Sequence, residues 1–128
     1  MDIPLIIHSR KAELDVVEML ESSDIKKVVL HCFSGRHHLI KRAAEHGWSF
    51  SVPTNIVKSE HFQKMVEMVN ISQLLTETDA PYLSPFTGKR NEPAFIAESL
   101  KKIAEVKNMT VDDTANNIFM NYQHLFLK

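Results

Sequence analysis

Glycine is scarce in this chain, cysteine is nearly absent and no long apolar run occurs. With only 3 glycines and no low-complexity stretch, the sequence offers no linker and no domain boundary. The 128 residues are therefore read as a single domain, 1–128, with 44% hydrophobic residues and enough apolar surface for a real core. The 1 cysteine, Cys32, excludes an intrachain disulfide. Together with the absence of a signal-like leader, it points to a cytoplasmic, reducing setting. No apolar stretch approaches the roughly 20 residues that cross a bilayer, so no membrane partner is expected. The net charge of -1 and pI near 6.6 provide no broad positive field for extended nucleic-acid contact.

What the chain does have is a repeat of short apolar runs ending in polar or ionisable residues. Residues 3–8 read IPLIIH, 27–31 KVVLH, 48–53 WSFSVP and 74–79 LLTETD. The first is continuously apolar and predicts a strand buried on both faces. Helix-period segments separate the runs. Ala12, Val16, Met19 and Leu20 share one face over 11–21; Leu39, Ile40, Ala43 and Ala44 share another over 36–46. Gly47 suits a left-handed C-terminal cap. Phe62, Met65, Val66 and Val69 form the next amphipathic face. A long connection over 80–92 follows the fourth run, after which Pro93 opens a helix bearing Ile96, Leu100, Ile103 and Ala104. A last helix begins at Thr110, with Asp113 placed to complete its cap.

Strands alternating with helices imply parallel pairing through right-handed crossovers. The runs begin at residues 3, 27, 48 and 74. A full eight-unit barrel needs about 250 residues, so this α/β chain holds about half of one. Periodicity leaves a four-stranded doubly wound sheet open as the competitor.

Three runs end on His8, His31 and Asp79. Ligands projecting from the same ends of adjacent parallel strands are how a metal or catalytic centre is built on such sheets. Neutral imidazole suits divalent transition metals, and a carboxylate binds metal or takes a proton from water. For each residue alone, a backbone-bonded histidine or a turn-capping aspartate is the plain structural alternative. Glu77, two residues before Asp79, shares its strand face and needs a partner, for which Arg10 and Arg90 are candidates. Either arginine could instead grip a phosphate. Ser34 and Gly35 lie between a strand and a helix, where backbone amides receive anions. Cys32 reads as a small buried hydrophobe. His37, His38, His46, His61 and His124 read as solvated residues of helices or loops.

The strings HSR at 8–10, HCFSG at 31–35, ETDAPYL at 77–83 and KRNEP at 89–93 occur together in this order. In them the chain resembles the TatD family of metal-dependent deoxyribonucleases, within the amidohydrolase-like barrels. The likeness runs over nearly the whole sequence and departs at 52–55, VPTN, where many relatives carry a glycine-containing segment. The resemblance implies a hydrolase of DNA or another phosphodiester that uses divalent ions (Mg²⁺, Mn²⁺ or Zn²⁺), two of them in a complete site. It implies that His8 and His31 bind one ion and that Asp79 belongs to the other position. Glu77, Arg10, Tyr82, Arg90 and Asn91 would support the site or contact substrate. The family's early His-x-His strand and its metal-bridging glutamate have no counterpart here. The chain thus corresponds to the second half of a TIM (β/α)8 barrel: four parallel βα units and a C-terminal helix. Such a half exposes two strand edges and an apolar inner face, so either self-association or a separate N-terminal half is expected. Two other functions stay open: an inactive half-barrel assembly module, and an amidohydrolase-like enzyme acting on a small ester or amide.

Overall fold

The computed structural model describes residues 3–77, 80 and 82–127. Four short strands form one parallel sheet in the order β1 (Leu5–His8), β2 (Val28–His31), β3 (Ser49–Val52) and β4 (Leu74–Thr76). Between them run α1 (Glu13–Glu21), α2 (His37–Glu45) and α3 (Glu60–Met68). After β4 come α4 (Ile96–Lys107) and α5 (Val111–Phe126). Sequential strands are spatial neighbours throughout, which is the order of a barrel wall and excludes the doubly wound arrangement, where the order reverses at a switch point.

The pleat sorts each strand into two faces. Val28, Leu30, Phe50, Val52 and Leu74 point to the helical layer and join Val17, Ile40, Met65 and Ile103 in one buried cluster. The opposite face carries Ile6 and His8 on β1, Val29 and His31 on β2, and Ser49 and Ser51 on β3. Leu75 of β4 shares that face.

The helix ends are fixed by local chemistry. Gly47 takes φ 78°, the left-handed conformation expected at the end of α2. Thr110 Oγ1 accepts the Asp113 N–H at 3.1 Å and starts α5, as its sequence predicts. Ser59 caps α3 in the same manner by accepting the Phe62 N–H at 3.3 Å. At the other end of α3, Lys107 Nζ reaches across from α4 to donate to the Val69 carbonyl. That partial burial pulls the Lys107 ammonium below its ordinary pKa.

Two expectations are corrected. The first strand is not buried on both faces: Ile6 is 59% exposed and Leu5 39%. Among the described residues its strand partner is β2 alone, and on the inner side Ile6 faces a cleft that it shares with Leu100, Phe119 and Tyr122 rather than a packed layer. On α1 the buried pair is Val17 and Leu20, while Met19 is 71% exposed. Leu14, Val16, Val17, Met19 and Leu20 give that helix two overlapping apolar stripes, and packing against the sheet selected the one through Val17.

The two sheet edges also differ. Along β1, the Leu5 N–H donates to the carbonyl of Lys27, just before β2, at 2.8 Å, so alternation turns the backbone groups of Ile6 and His8 to the outer edge. Along β4, buried Asn121 of α5 donates through Nδ2 to the carbonyls of Ile71 at 2.7 Å and Leu74 at 2.8 Å. One edge is therefore partly sealed by the terminal helix, and the other pairs with no further strand among the described residues.

Candidate metal centre

His8 and His31 are direct partners in the parallel register. Both side chains lie on the inner face, at the carboxyl ends of their strands. Their ring centres stand 5.6 Å apart with planes inclined by 47°. Two imidazoles sharing one ion through bonds of about 2.0–2.1 Å place their ring centres roughly 5–6 Å apart. The pair therefore fits a single divalent ion.

Its surroundings orient His31. Ser51, the next residue in register on β3, places Oγ 3.3 Å from His31 Nδ1. Glu77 Oε1, just past β4, lies 3.5 Å from the same nitrogen. Ser51 and Glu77 thus both approach His31 through Nδ1. A carboxylate behind an imidazole fixes ring orientation and raises its basicity, as in the outer shells of metal sites. Side chains contributed at the ends of all four strands thus meet in one place.

Asp79 lies outside the described residues. Among those described, no three His, Cys, Asp or Glu side chains converge to hold an ion by themselves. The described candidate ligands are the histidine pair, with Glu77 beside His31.

Beside the pair opens a cleft of about 570 Å³ lined by His8, Arg10, Lys11, Cys32, Ser34 and Tyr82. Arg10 and Lys11 bring positive charge to it and Glu13 a carboxylate, and Tyr82 is 71% exposed. The structure therefore brings Arg10, Ser34 and Tyr82 to one cleft with His8, while His31 faces the neighbouring cleft on the inner side. Ser34 Oγ also reaches the Cys32 carbonyl at 3.4 Å. Gly35 is buried behind them, and a Cβ there would meet Phe33 Cε2 at 2.4 Å. Its missing side chain makes room for that ring. Arg90 is exposed on the long connection. Asn91 is 2% exposed. Its Nδ2 donates to the Tyr82 carbonyl at 2.7 Å, and its Oδ1 accepts the Glu92 N–H at 2.9 Å. Asn91 thus anchors the loop that carries Tyr82.

Three contributors were missed by the sequence reading. Ser51 is one; its signal was its place in register beside a strand-end histidine. Thr54, fully buried in the VPTN segment, donates from Oγ1 to the Leu83 carbonyl at 2.8 Å and ties the third loop to the fourth. His61 is the third. Expected on the solvated surface, it is half-buried and bonds the Phe33 carbonyl at 3.2 Å. His46 likewise has partners: it meets Glu21 at 2.8 Å and stacks on Trp48 at 4.6 Å. Cys32 is only partly buried and holds φ 50°.

A parallel α/β sheet with imidazoles at the carboxyl ends of adjacent strands defines the barrel-type metal hydrolases as the class to consider. Residues 1–127 match the family model described as TatD related DNase, and the chain belongs to that family. It is 35% identical over 118 residues to an uncharacterized metal-dependent hydrolase of Methanocaldococcus jannaschii, covering 92% of this chain and 47% of that protein. It is 34% identical over 128 residues to the human deoxyribonuclease TATDN3, covering 100% of this chain and 47% of that one. The crystal structure of YJJV, a TatD homolog from Escherichia coli, superposes with a TM-score of 0.88 at 26% identity, covering 99% of this chain and 51% of that chain. The chain thus spans about half the length of the relatives it matches.

Proposed function

We propose that this chain is a single partial-barrel domain, residues 1–128, forming the C-terminal half of a TatD-like deoxyribonuclease that hydrolyses phosphodiesters with divalent metal. The observation carrying this reading is the register-aligned His8–His31 pair at 5.6 Å, backed by Glu77. His8 and His31 would hold one ion, and Asp79 would belong to a second position. Mg²⁺, Mn²⁺ and Zn²⁺ are the candidates, with nitrogen ligands favouring the last two. A bound divalent ion supplies Lewis-acid polarisation of a phosphoryl oxygen and stabilises its developing charge.

The chain's own residues do the rest. Arg10 binds a phosphate oxygen at the mouth of the cleft, with Ser34 beside it. Tyr82 offers an aromatic face and a hydroxyl to the bound strand. Gly35, Arg90 and Asn91 shape or border the loops that receive it. Asp79 takes the proton of the attacking water, and Glu77 keeps His31 in its ligating orientation. The partner that completes the catalyst is an N-terminal half-barrel or a second copy of the chain, seated on the outer β1 edge and inner face. A cytoplasmic setting fits this reading.

The test is calorimetric titration of the full chain with Mn²⁺ and Zn²⁺, alongside cleavage assays on single- and double-stranded DNA. Metal binding and metal-dependent cleavage, both lost in His31→Ala, are expected. No metal binding and no cleavage would leave the chain as an assembly module. Cleavage of small esters in preference to DNA would make it an amidohydrolase-like enzyme.

A further inference from the structure

The connection after β2 leaves its strand in a conformation that a non-glycine residue does not hold unaided. Cys32 sits at φ 50°, in the left-handed region where a Cβ is crowded, so its surroundings must over-determine it. Two fastenings do so. The ring of Phe33 is fully buried, meets Phe50 edge-on at 6.0 Å and lies against the Gly35 backbone. Second, the Phe33 carbonyl is held by His61 Nε2 of α3 at 3.2 Å. A carbonyl only accepts, so Nε2 carries the proton. The His61 ring has two aromatic neighbours, of which Phe62 is the nearer. His37 stacks on it at 6.0 Å with planes 22° apart, and Phe62 meets it edge-on at 5.1 Å.

We propose that His61 is a positioning residue for the candidate metal centre: by tying the Phe33 carbonyl to α3, it holds the 32–35 turn and thereby the orientation of His31 at the end of β2. This rests on the metal reading of His8 and His31. The bond reaches the centre through two residues of backbone, from Phe33 through Cys32 to His31.

Three variants of the full 128-residue chain test it. His61→Leu keeps apolar bulk without a donor, His61→Gln retains an N–H near the position of Nε2, and His37→Ala removes only the stacked ring. The readouts are amide hydrogen exchange over 31–36 and Mn²⁺ affinity by calorimetry. In His61→Leu, exchange over 31–36 rises and Mn²⁺ affinity falls, each about tenfold, the lower end of losses seen for residues that support metal ligands. His61→Gln restores both, and His37→Ala stays within about twofold of the parent chain. A His61→Leu chain with a lowered melting temperature but unchanged exchange and affinity overturns the proposal. So does a His61→Gln chain as perturbed as His61→Leu. If the parent chain binds no Mn²⁺, the metal reading fails by itself. Exchange then decides the clamp: a Leu–Gln contrast supports it, and identical exchange refutes it.

Discussion

Substituting Gly35 by alanine should destabilise the fold chiefly through a clash with the Phe33 ring, and the structure sets the size of the effect. Gly35 is not among the positive-φ residues, so alanine meets no torsional penalty there. Its Cβ would stand 2.4 Å from Phe33 Cε2, 2.6 Å from Cζ and 3.3 Å from the Glu13 Cβ. Ordinary carbon contacts begin near about 3.5 Å, so the ring must retreat by about 1 Å. It has nowhere to go, being fully buried with Phe50 on its flank. Overpacking of this kind costs about 1–3 kcal/mol. At roughly 3–5 °C per kcal/mol for a chain of this size, the melting temperature should fall by about 3–15 °C. Urea denaturation followed by circular dichroism measures the loss. Phe33→Leu shortens the ring atoms responsible and itself costs about 1–2 kcal/mol as a large-to-small core change. In the double variant the clash with the ring is gone, so its loss should fall short of the sum of the two single losses by at least about 1 kcal/mol. Strict additivity, or a Gly35→Ala change below about 0.5 kcal/mol, would refute the packing argument.

Two further outcomes follow from interactions away from the candidate centre. Glu21 bonds Arg42 through Nε at 2.8 Å and through Nη2, and His46 at 2.8 Å; chiefly through Arg42, its pKa drops from 4.5 to about 2. A depressed carboxylate stabilises the fold above its unfolded pKa and loses that contribution as pH falls toward the folded value. The stability gap between the parent chain and Glu21→Gln should accordingly be full near about pH 6 and shrink toward about pH 3. Urea unfolding read by Trp48, the single tryptophan and the ring on which His46 stacks, follows it; a gap that widens on acidification contradicts the assignment. Asn121→Ala strands two acceptors that Asn121 now satisfies, and should cost about 1–3 kcal/mol in the same assay. A loss below about 0.5 kcal/mol would show that water replaces the amide and that the β4 edge is not sealed by it.

Much of the architecture was legible because the signals are local. The strand ends could be read where polar residues stop an apolar run, as at His31, or where proline follows, as at Val52. Caps are equally local: Thr110 needs only a donor three residues on, and Gly47 only the freedom to adopt positive φ. The same logic misjudged α1, where two apolar stripes overlap and only contact with the sheet distinguishes Val17 from Met19. It misjudged β1 for a related reason. An apolar run records a capacity to be buried, whereas the covering surface belongs to other elements. His61 and Thr54 were out of reach because their partners, Phe33 and Leu83, are 28 and 29 residues away, at spacings no helix or strand period encodes.

The amino-acid order alone determined the alternation of strands and helices, the placing of His8 and His31 at corresponding strand ends, and the family strings around them. These are properties of runs and spacings, which the pleat and the helical turn convert directly into faces. Only the tertiary structure decided what faces what. It turned Glu77 and Ser51 toward one nitrogen of His31, gave Gly35 a steric purpose, and set Asn121 across the last strand while leaving the first strand's outer edge with no further strand among the described residues. Those outcomes depend on three-dimensional packing between elements far apart in the chain, where steric room and hydrogen-bond satisfaction, rather than periodicity, choose the partner.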